Sequence, residues 1–389
     1  MANGKGGRRR FGSVRQLASG RWQARYRDPL TGQLRSAEKT YPTKTDAEVA
    51  LSQIEADISR EQWTDPDAGK INFGKYADQW LKDRPLEART RERYEGVIRL
   101  HIKPFLGGLT IAKVTPAKVR SWRTGRLAEV GEPTVVKAYQ ILRAIMNTAV
   151  VEDELIKRNP CRIKGADTYD VPERPVLSVP EVYAVADAIK PQWRALVLLT
   201  AFTTLRFGEL AALRRRDVDL DARILWVRRN QGEMNDGRLI EKAPKSRAGF
   251  RPVAFPADIV PDLQHHAERH AGAGRDGHFF VGPRGGKLRR SNFRGDWVAA
   301  REAAGISVDA HFHDLRHTGN TLASQNGAST KELMTRMGHS TARAALIYQH
   351  MTSDRDRVIA DKMGKAARKA LGKRKAPPSP SGTDVARAD

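Results

Sequence analysis

The 389-residue chain predicts a multidomain α+β protein: an N-terminal three-stranded sheet plus a helix, then a helical bundle, then a mixed, mainly-α domain with a small antiparallel sheet. Three observations carry that expectation. Strict period-2 alternation occurs near the start, in Arg21-Trp-Gln-Ala-Arg-Tyr-Arg27. Apolar positions then recur at helical spacing from Asn72 to about Lys164, and beyond Val176 helical runs mix with short β-like pieces. The length also exceeds one ordinary core, since domains average about 100–200 residues.

Residues 1–27 hold eight Lys or Arg and no acid, so residues 1–11, rich in glycine and arginine, are expected to be a mobile basic arm. In the domain expected over 12–64, the alternation puts Arg21, Gln23, Arg25 and Arg27 on one wet, cationic face and Trp22, Ala24 and Tyr26 on the other. Turn residues at Ala18-Ser-Gly20 and Asp28-Pro-Leu-Thr-Gly32 make this the middle of a meander over 12–41. A helix from about Thr45 covers the aromatic face with Ala47, Leu51, Ile54 and Ile58.

The bundle, 72–165, reads as helices Phe73 to Asp83, Ala88 to His101, Pro116 to Leu127 and Pro133 to Val151, broken at Arg84-Pro85, Gly107-Gly108 and Gly131. Arg91, Arg93, Lys118 and Arg123 give it basic faces. The polar stretch 163–175, with two prolines, reads as a linker. The third domain, 176–371, has helices near 179–190, 192–203 and 207–214, strand-like pieces at Ile224–Arg228, Arg238–Glu241 and Gly249–Phe255, and further helices to its end. Residues 372–389 are low in apolar side chains and are expected to be a disordered tail.

A formal net charge of +24, spread over all segments, calls for a polyanionic partner, and nucleic acid fits better than a membrane. The longest apolar runs, such as residues 195–199, fall far short of the about 20 residues that cross a bilayer, and the N-terminus lacks an apolar signal core, so a cytosolic protein is expected. The single cysteine, Cys161, excludes an internal disulfide framework and a thiolate zinc site, and reads as a packing or linker residue.

Chemistry concentrates in four places. His313 and Arg316 lie three apart in His313-Asp-Leu-Arg316-His317, a helical spacing that lets both reach one phosphate. Arg206, in Leu205-Arg206-Phe-Gly-Glu209-Leu, offers a second fork-shaped cation for the non-bridging oxygens. His311, His313 and His317 also have metal-like spacing, but Arg316 inside the cluster would repel a cation, so no metal is expected. Tyr348, nine residues beyond His339, is by itself a core aromatic; beside phosphate-binding cations it becomes a nucleophile, since a phenol with pKa near 10 needs positive charge to ionise. Lys245 lies between two strand candidates, at an expected hairpin tip, from which it could protonate a departing 5′ oxygen.

In order and spacing these residues resemble the tyrosine recombinases, and the extra N-terminal domain makes the chain similar to phage-type, lambda-integrase-like integrases of an actinobacterial phage or prophage. The resemblance spans residues 12 to about 370. It implies that Arg206 and Arg316 clamp the phosphate, His313 assists proton transfer, Lys245 is the general acid, His339 hydrogen-bonds a phosphate oxygen, Tyr348 forms a 3′-phosphotyrosyl bond and Glu209 fixes the first arginine. No cofactor is implied. It further implies an arm-type DNA-binding domain carrying Arg21, Gln23, Arg25 and Arg27, a core-binding bundle carrying Arg91, Arg93, Lys118 and Arg123, and a homotetramer that passes through a Holliday junction on double-stranded DNA. A host DNA-bending protein and an excisionase would assist, in the bacterial cytosol at the nucleoid. Thr204 stands where that family commonly has glycine, and Met337 where leucine is usual. A chromosome-dimer resolvase shares the fold but generally lacks an arm-binding domain. A non-cutting regulator would lack catalytic groups, whereas all six positions are filled here.

Overall fold

A computed structural model describes residues 11–338 with 341, 361, 363–365 and 368, and it divides into two units, 1–171 and 172–389. The expected tail, and the basic arm up to residue 10, lie outside the described residues.

The first unit begins with the antiparallel meander β1 (Ser13–Gln16), β2 (Trp22–Arg27) and β3 (Leu34–Tyr41), in that order. Helix α1 (Lys44–Ser59) follows, its N-cap Thr43 accepting a hydrogen bond from the Asp46 amide at 3.1 Å. Its Leu51 packs on Ala24 and Tyr26, all three buried, with Ile54 and Ile58 at the edge; Phe11 stacks on Tyr26 and Trp63 meets it edge-on. The alternation therefore does what the period predicts, except that Trp22 stays half-buried at the strand's end. Arg35 faces Tyr26 in the β2–β3 register and binds Asp28 at 2.8 Å, Asp65 at 2.6 Å and Asp67, tying the chain beyond α1 back to the sheet.

The same unit continues as α2 (Phe73–Asp83), α3 (Ala88–Val97), α4 (Lys103–Leu106), α5 (Pro116–Glu129) and α6 (Glu132–Val151) around Phe73, Ile98, Ile102, Ile111, Tyr139 and Ile141. The expected helix 88–101 does not run straight through: a π-turn at Ile98–Ile102 widens it into α4, because Pro104 has no amide to donate to the preceding turn. The start of the expected linker is also packed. The Ile163 amide donates to the Tyr139 hydroxyl at 2.9 Å, Arg143 pairs with Asp167 at 2.8 Å, and Ala166 is buried. Cys161 is buried there too, and desolvation pushes its thiol up to about 12, so it packs as an apolar group.

The second unit is built on α7 (Val179–Ala188) and α8 (Pro191–Thr203), followed by α9 (Phe207–Ala211). Helix α8 is buried on every side from Ala195 through Ala201, which its nearly all-apolar sequence there requires. Five strands come next: β4 (Val218–Asp219), β5 (Ile224–Val227), β6 (Asn230–Glu233), β7 (Leu239–Lys242) and β8 (Arg251–Ala254). Then come α10 (Val260–Arg269), α11 (Arg290–Ala303), α12 (Asp314–Gln325) and α13 (Thr330–Met337). The strands form two antiparallel sheets, β4-β5-β8 and β6-β7. The expected hairpin between residues 238–241 and 249–255 is therefore not formed: β7 takes β6 as partner, β8 takes β5, and Lys245 sits on the connection between two sheets. The sequence reading missed β6, whose Asn-Gln-Gly-Glu has no apolar period. Helix α12 crosses α8 at Gly319, where a Cβ would lie 2.1 Å from the Ala201 carbonyl oxygen, so only glycine permits this approach. Among the described residues no helix is long and apolar enough to cross a membrane.

His266 on α10 is buried against Phe279 and Phe280, with Nε2 donating to the Phe279 carbonyl at 2.7 Å, and desolvation pushes its pKa down to about 4. A folded-state pKa below the unfolded value means that the unfolded chain binds the proton first. The stability linked to His266 is therefore full above about pH 6.5 and falls by about 1.4 kcal/mol per pH unit from there towards pH 4. Urea denaturation across that window should show the decline, and His266→Gln, which keeps a donor but does not titrate, should flatten it.

Candidate active site

Helix α8 ends at Thr204, fully buried and left-handed at φ 60°, ψ 23°. That turn sends the chain into Arg206, the N-cap of α9, and Glu209 lies one turn further on. The Glu209 carboxylate accepts from the Arg206 amide at 2.9 Å and from Arg206 Nη1 at 2.9 Å. From β8, Arg251 Nη2 and Nη1 reach the same carboxylate at 3.0 and 3.2 Å, both residues being buried. Burial by itself would raise the Glu209 pKa; the charge and hydrogen bonds of Arg251, and then Arg206, outweigh it and hold the carboxyl below its ordinary range.

Helix α12 brings the second cation. Arg316, in its first turn, is 2% exposed; Nη1 donates to the Thr204 carbonyl and Nη2 to the Met337 carbonyl at 2.8 Å. The two arginine segments also meet through their neighbours, Phe207 packing edge-on against Phe312 with centroids 5.9 Å apart. Helix α13 is fastened at its C-terminal end, where carbonyls have no helical partner. Arg251 Nε donates to the Arg336 carbonyl at 2.8 Å, Arg316 takes that of Met337, and Arg336 itself reaches the Ala254 carbonyl at 3.2 Å. Gly338 then closes the helix at φ +64°, where a Cβ would lie 2.7 Å from Arg251 Nη1. His339 and Tyr348, which follow, lie outside the described residues.

His313 caps α12. Its side chain is exposed and meets the His317 ring edge-on at 5.3 Å; desolvation, then the charges of His317 and Arg316, push its pKa down to about 4, so it is neutral at neutral pH. Beneath it Asp314 is buried and held by Arg174, whose Nε and Nη2 lie 3.0 and 2.7 Å from its carboxylate, and it accepts the His311 amide at 2.7 Å. The His311 ring is engaged by the Asp309 carbonyl at 2.7 Å and by Arg174. Among the described residues no cluster of His, Cys, Asp and Glu is arranged to hold a metal ion. Lys245 is exposed on the loop between β7 and β8, folded where Gly249 packs on Pro244, and no ion pair or hydrogen bond holds it among the described residues.

Arg206, Glu209, His313 and Arg316 are thus drawn together. Sequence reasoning missed Arg251 and Arg174. The signal for Arg251 was present: in Arg-Pro-Val-Ala the period of two puts it on the inward face with Val253. Arg174 carried none, being one arginine in a polar stretch.

In the other unit the expected DNA-facing residues fare differently. On β2, Arg21 donates to the Thr40 carbonyl at 2.6 Å, Gln23 accepts from Arg15 at 3.0 Å, Arg27 donates to the Gly32 carbonyl at 3.1 Å, and Arg25 is half-buried. Arg91 donates to the Leu81 and Arg84 carbonyls at 2.5 and 2.6 Å, capping α2, and Arg123 lies 3.9 Å from Glu132. Arg93 and Lys118 are exposed.

Three family profiles match: "Phage integrase, N-terminal domain" at residues 10–60, "Phage integrase, N-terminal SAM-like domain" at 72–125 and "Phage integrase family" at 177–355. The chain belongs to the phage integrase family of tyrosine recombinases, enzymes that cut and rejoin DNA. It is 40% identical to the prophage phiRv2 integrase of Mycobacterium tuberculosis over 94% of this chain and 98% of that one. It is 37% identical to the integrase of Mycobacterium phage L5, over 93% and 99%. Both relatives are mycobacterial, as the resemblance to actinobacterial integrases anticipated. The fold is shared with a lambda integrase tetramer bound to a Holliday junction, at 18% identity, 88% and 97% coverage and TM-score 0.56.

Removing one partner of a buried ion pair leaves an uncompensated charge. Arg251→Met should therefore lower stability by about 3 kcal/mol, read as a shift in the urea midpoint.

Proposed function

We propose that this chain is a site-specific recombinase that integrates a mobile element into DNA and, with an excisionase, removes it. The Tyr348 oxygen attacks the scissile phosphorus to form a 3′-phosphotyrosyl bond, and the 5′ oxygen leaves with a proton from Lys245. Arg206 and Arg316 bind the non-bridging oxygens, where charge builds in the pentacoordinate transition state. Neutral His313 has room for a proton, and His339 donates to a phosphate oxygen. Because the phosphodiester energy stays in the adduct, the 5′ hydroxyl of a partner strand can reverse the attack without an external energy source.

One observation supports this reading: buried Arg316 is seated on the carbonyl of Thr204, two residues from Arg206, so the segments that carry the two arginines meet. Arg316 is held by the Thr204 and Met337 carbonyls.

The remaining assignments follow the family. Residues 176–371 form the catalytic domain, 72–165 the core-binding domain, with Arg93 and Lys118 its exposed cations, and 12–64 the arm-binding domain, with Arg21, Gln23, Arg25 and Arg27 facing arm-type DNA. A homotetramer on double-stranded DNA, as lambda integrase forms on a Holliday junction, would carry out two rounds of strand exchange. A host DNA-bending protein would shape the site, in the bacterial cytosol.

Tyr348→Phe should leave DNA binding intact and abolish the covalent protein–DNA adduct seen on denaturing gels; an adduct that persists rejects Tyr348 as nucleophile. Deleting residues 1–60 should spare cleavage of core sites and block integration, and undiminished integration by the shortened chain would remove the arm-binding role.

A further inference from the structure

The head of α11 carries three arginines of unequal standing. Arg289 is committed, donating to Glu233 at 2.8 Å and to the Gly237 carbonyl at 2.7 Å. Arg290 and Arg294 are both exposed, and among the described residues neither forms an ion pair or a hydrogen bond. Four apart on one helix, their side chains share a face and repel each other, which disfavours the pairing unless an anion lies across it. Exposed Ser291 and Asn292 add neutral hydrogen-bonding groups beside them.

The position of this patch is informative. The Arg290 guanidinium carbon lies 5.4 Å from the centre of the Phe207 ring, and Phe207 directly follows Arg206. Arg290 is also among the charges that act on His313. From the same helix head a groove of about 870 Å³ runs past Arg284, Lys287, Arg289 and Asn292, where Arg289 is paired with Glu233 and Lys287 with Glu241.

We infer that Arg290 and Arg294 form a phosphate seat beside the candidate active site, gripping successive backbone phosphates of the DNA whose neighbouring phosphate Arg206 and Arg316 hold. This deepens the recombinase reading and rests on it. The contact is with backbone, not bases, so it adds affinity and register without sequence preference.

Each phosphate contact releases counterions and adds about 0.9 to the slope of log K against log salt. The full-length Arg290→Gln/Arg294→Gln variant, titrated with a short fluorescein-labelled duplex of random sequence, should show a slope shallower by about 1.8, each single variant by about 0.9. Arg290→Lys/Arg294→Lys should restore it, and thermal melting should match wild type because both side chains are exposed. Exposed Arg269 on α10 serves as the charge-matched control, and Arg269→Gln should leave the slope in place. A double variant with the wild-type slope, or an Arg269 control that shifts as far, overturns the seat while leaving the recombinase reading standing. A flat slope in the wild type overturns both.

Discussion

The candidate site depends on one buried carboxylate surrounded by arginine. Glu209 holds Arg206 and Arg251 together, and Arg251 in turn holds the end of α13. The guanidiniums of Arg206 and Arg251 share that carboxylate, and Arg316 is hydrogen-bonded to the Thr204 and Met337 carbonyls. Backbone carbonyls supply acceptors for the N–H donors of buried Arg316, so this cation is hydrogen-bonded inside the fold.

The carbonyls are available because two helices end here. Thr204 and Gly338 both adopt left-handed backbone at the ends of α8 and α13, and each helix end exposes carbonyls that its own turn cannot satisfy. For Thr204, a β-branched residue, that conformation costs about 1–2 kcal/mol. This gives a physical reason for the glycine common in the family at this place. Arg174 plays a related part on the other side of α12. By neutralising buried Asp314 it fixes the turn that carries His313, so a residue far away in sequence positions the imidazole.

Net charge overstates how much positive surface is open. Arg35 meets three carboxylates, Arg91 caps a helix and Arg21 braces a strand; these cations stabilise the fold and are only partly offered to a partner. The exposed remainder, such as Arg93, Lys118, Arg290 and Arg294, makes a shorter and more specific set.

The sequence alone determined what depends on local periodicity and on residue chemistry. The meander and its covering helix, the bundle helices with their Gly and Pro breaks, and the identities of Arg206, Glu209, His313 and Arg316 were all legible, since apolar spacing and motif order are properties of the linear chain. Strand partnership was not: β6 lacks an apolar rhythm, and only packing decided that β7 pairs with it and leaves Lys245 between two sheets. Nor could the chain reveal that Arg251 and Arg174 are anchors while Arg290 and Arg294 are open. An arginine reads the same in sequence whether it meets a carboxylate, a carbonyl or water, and only the tertiary structure assigns its partner.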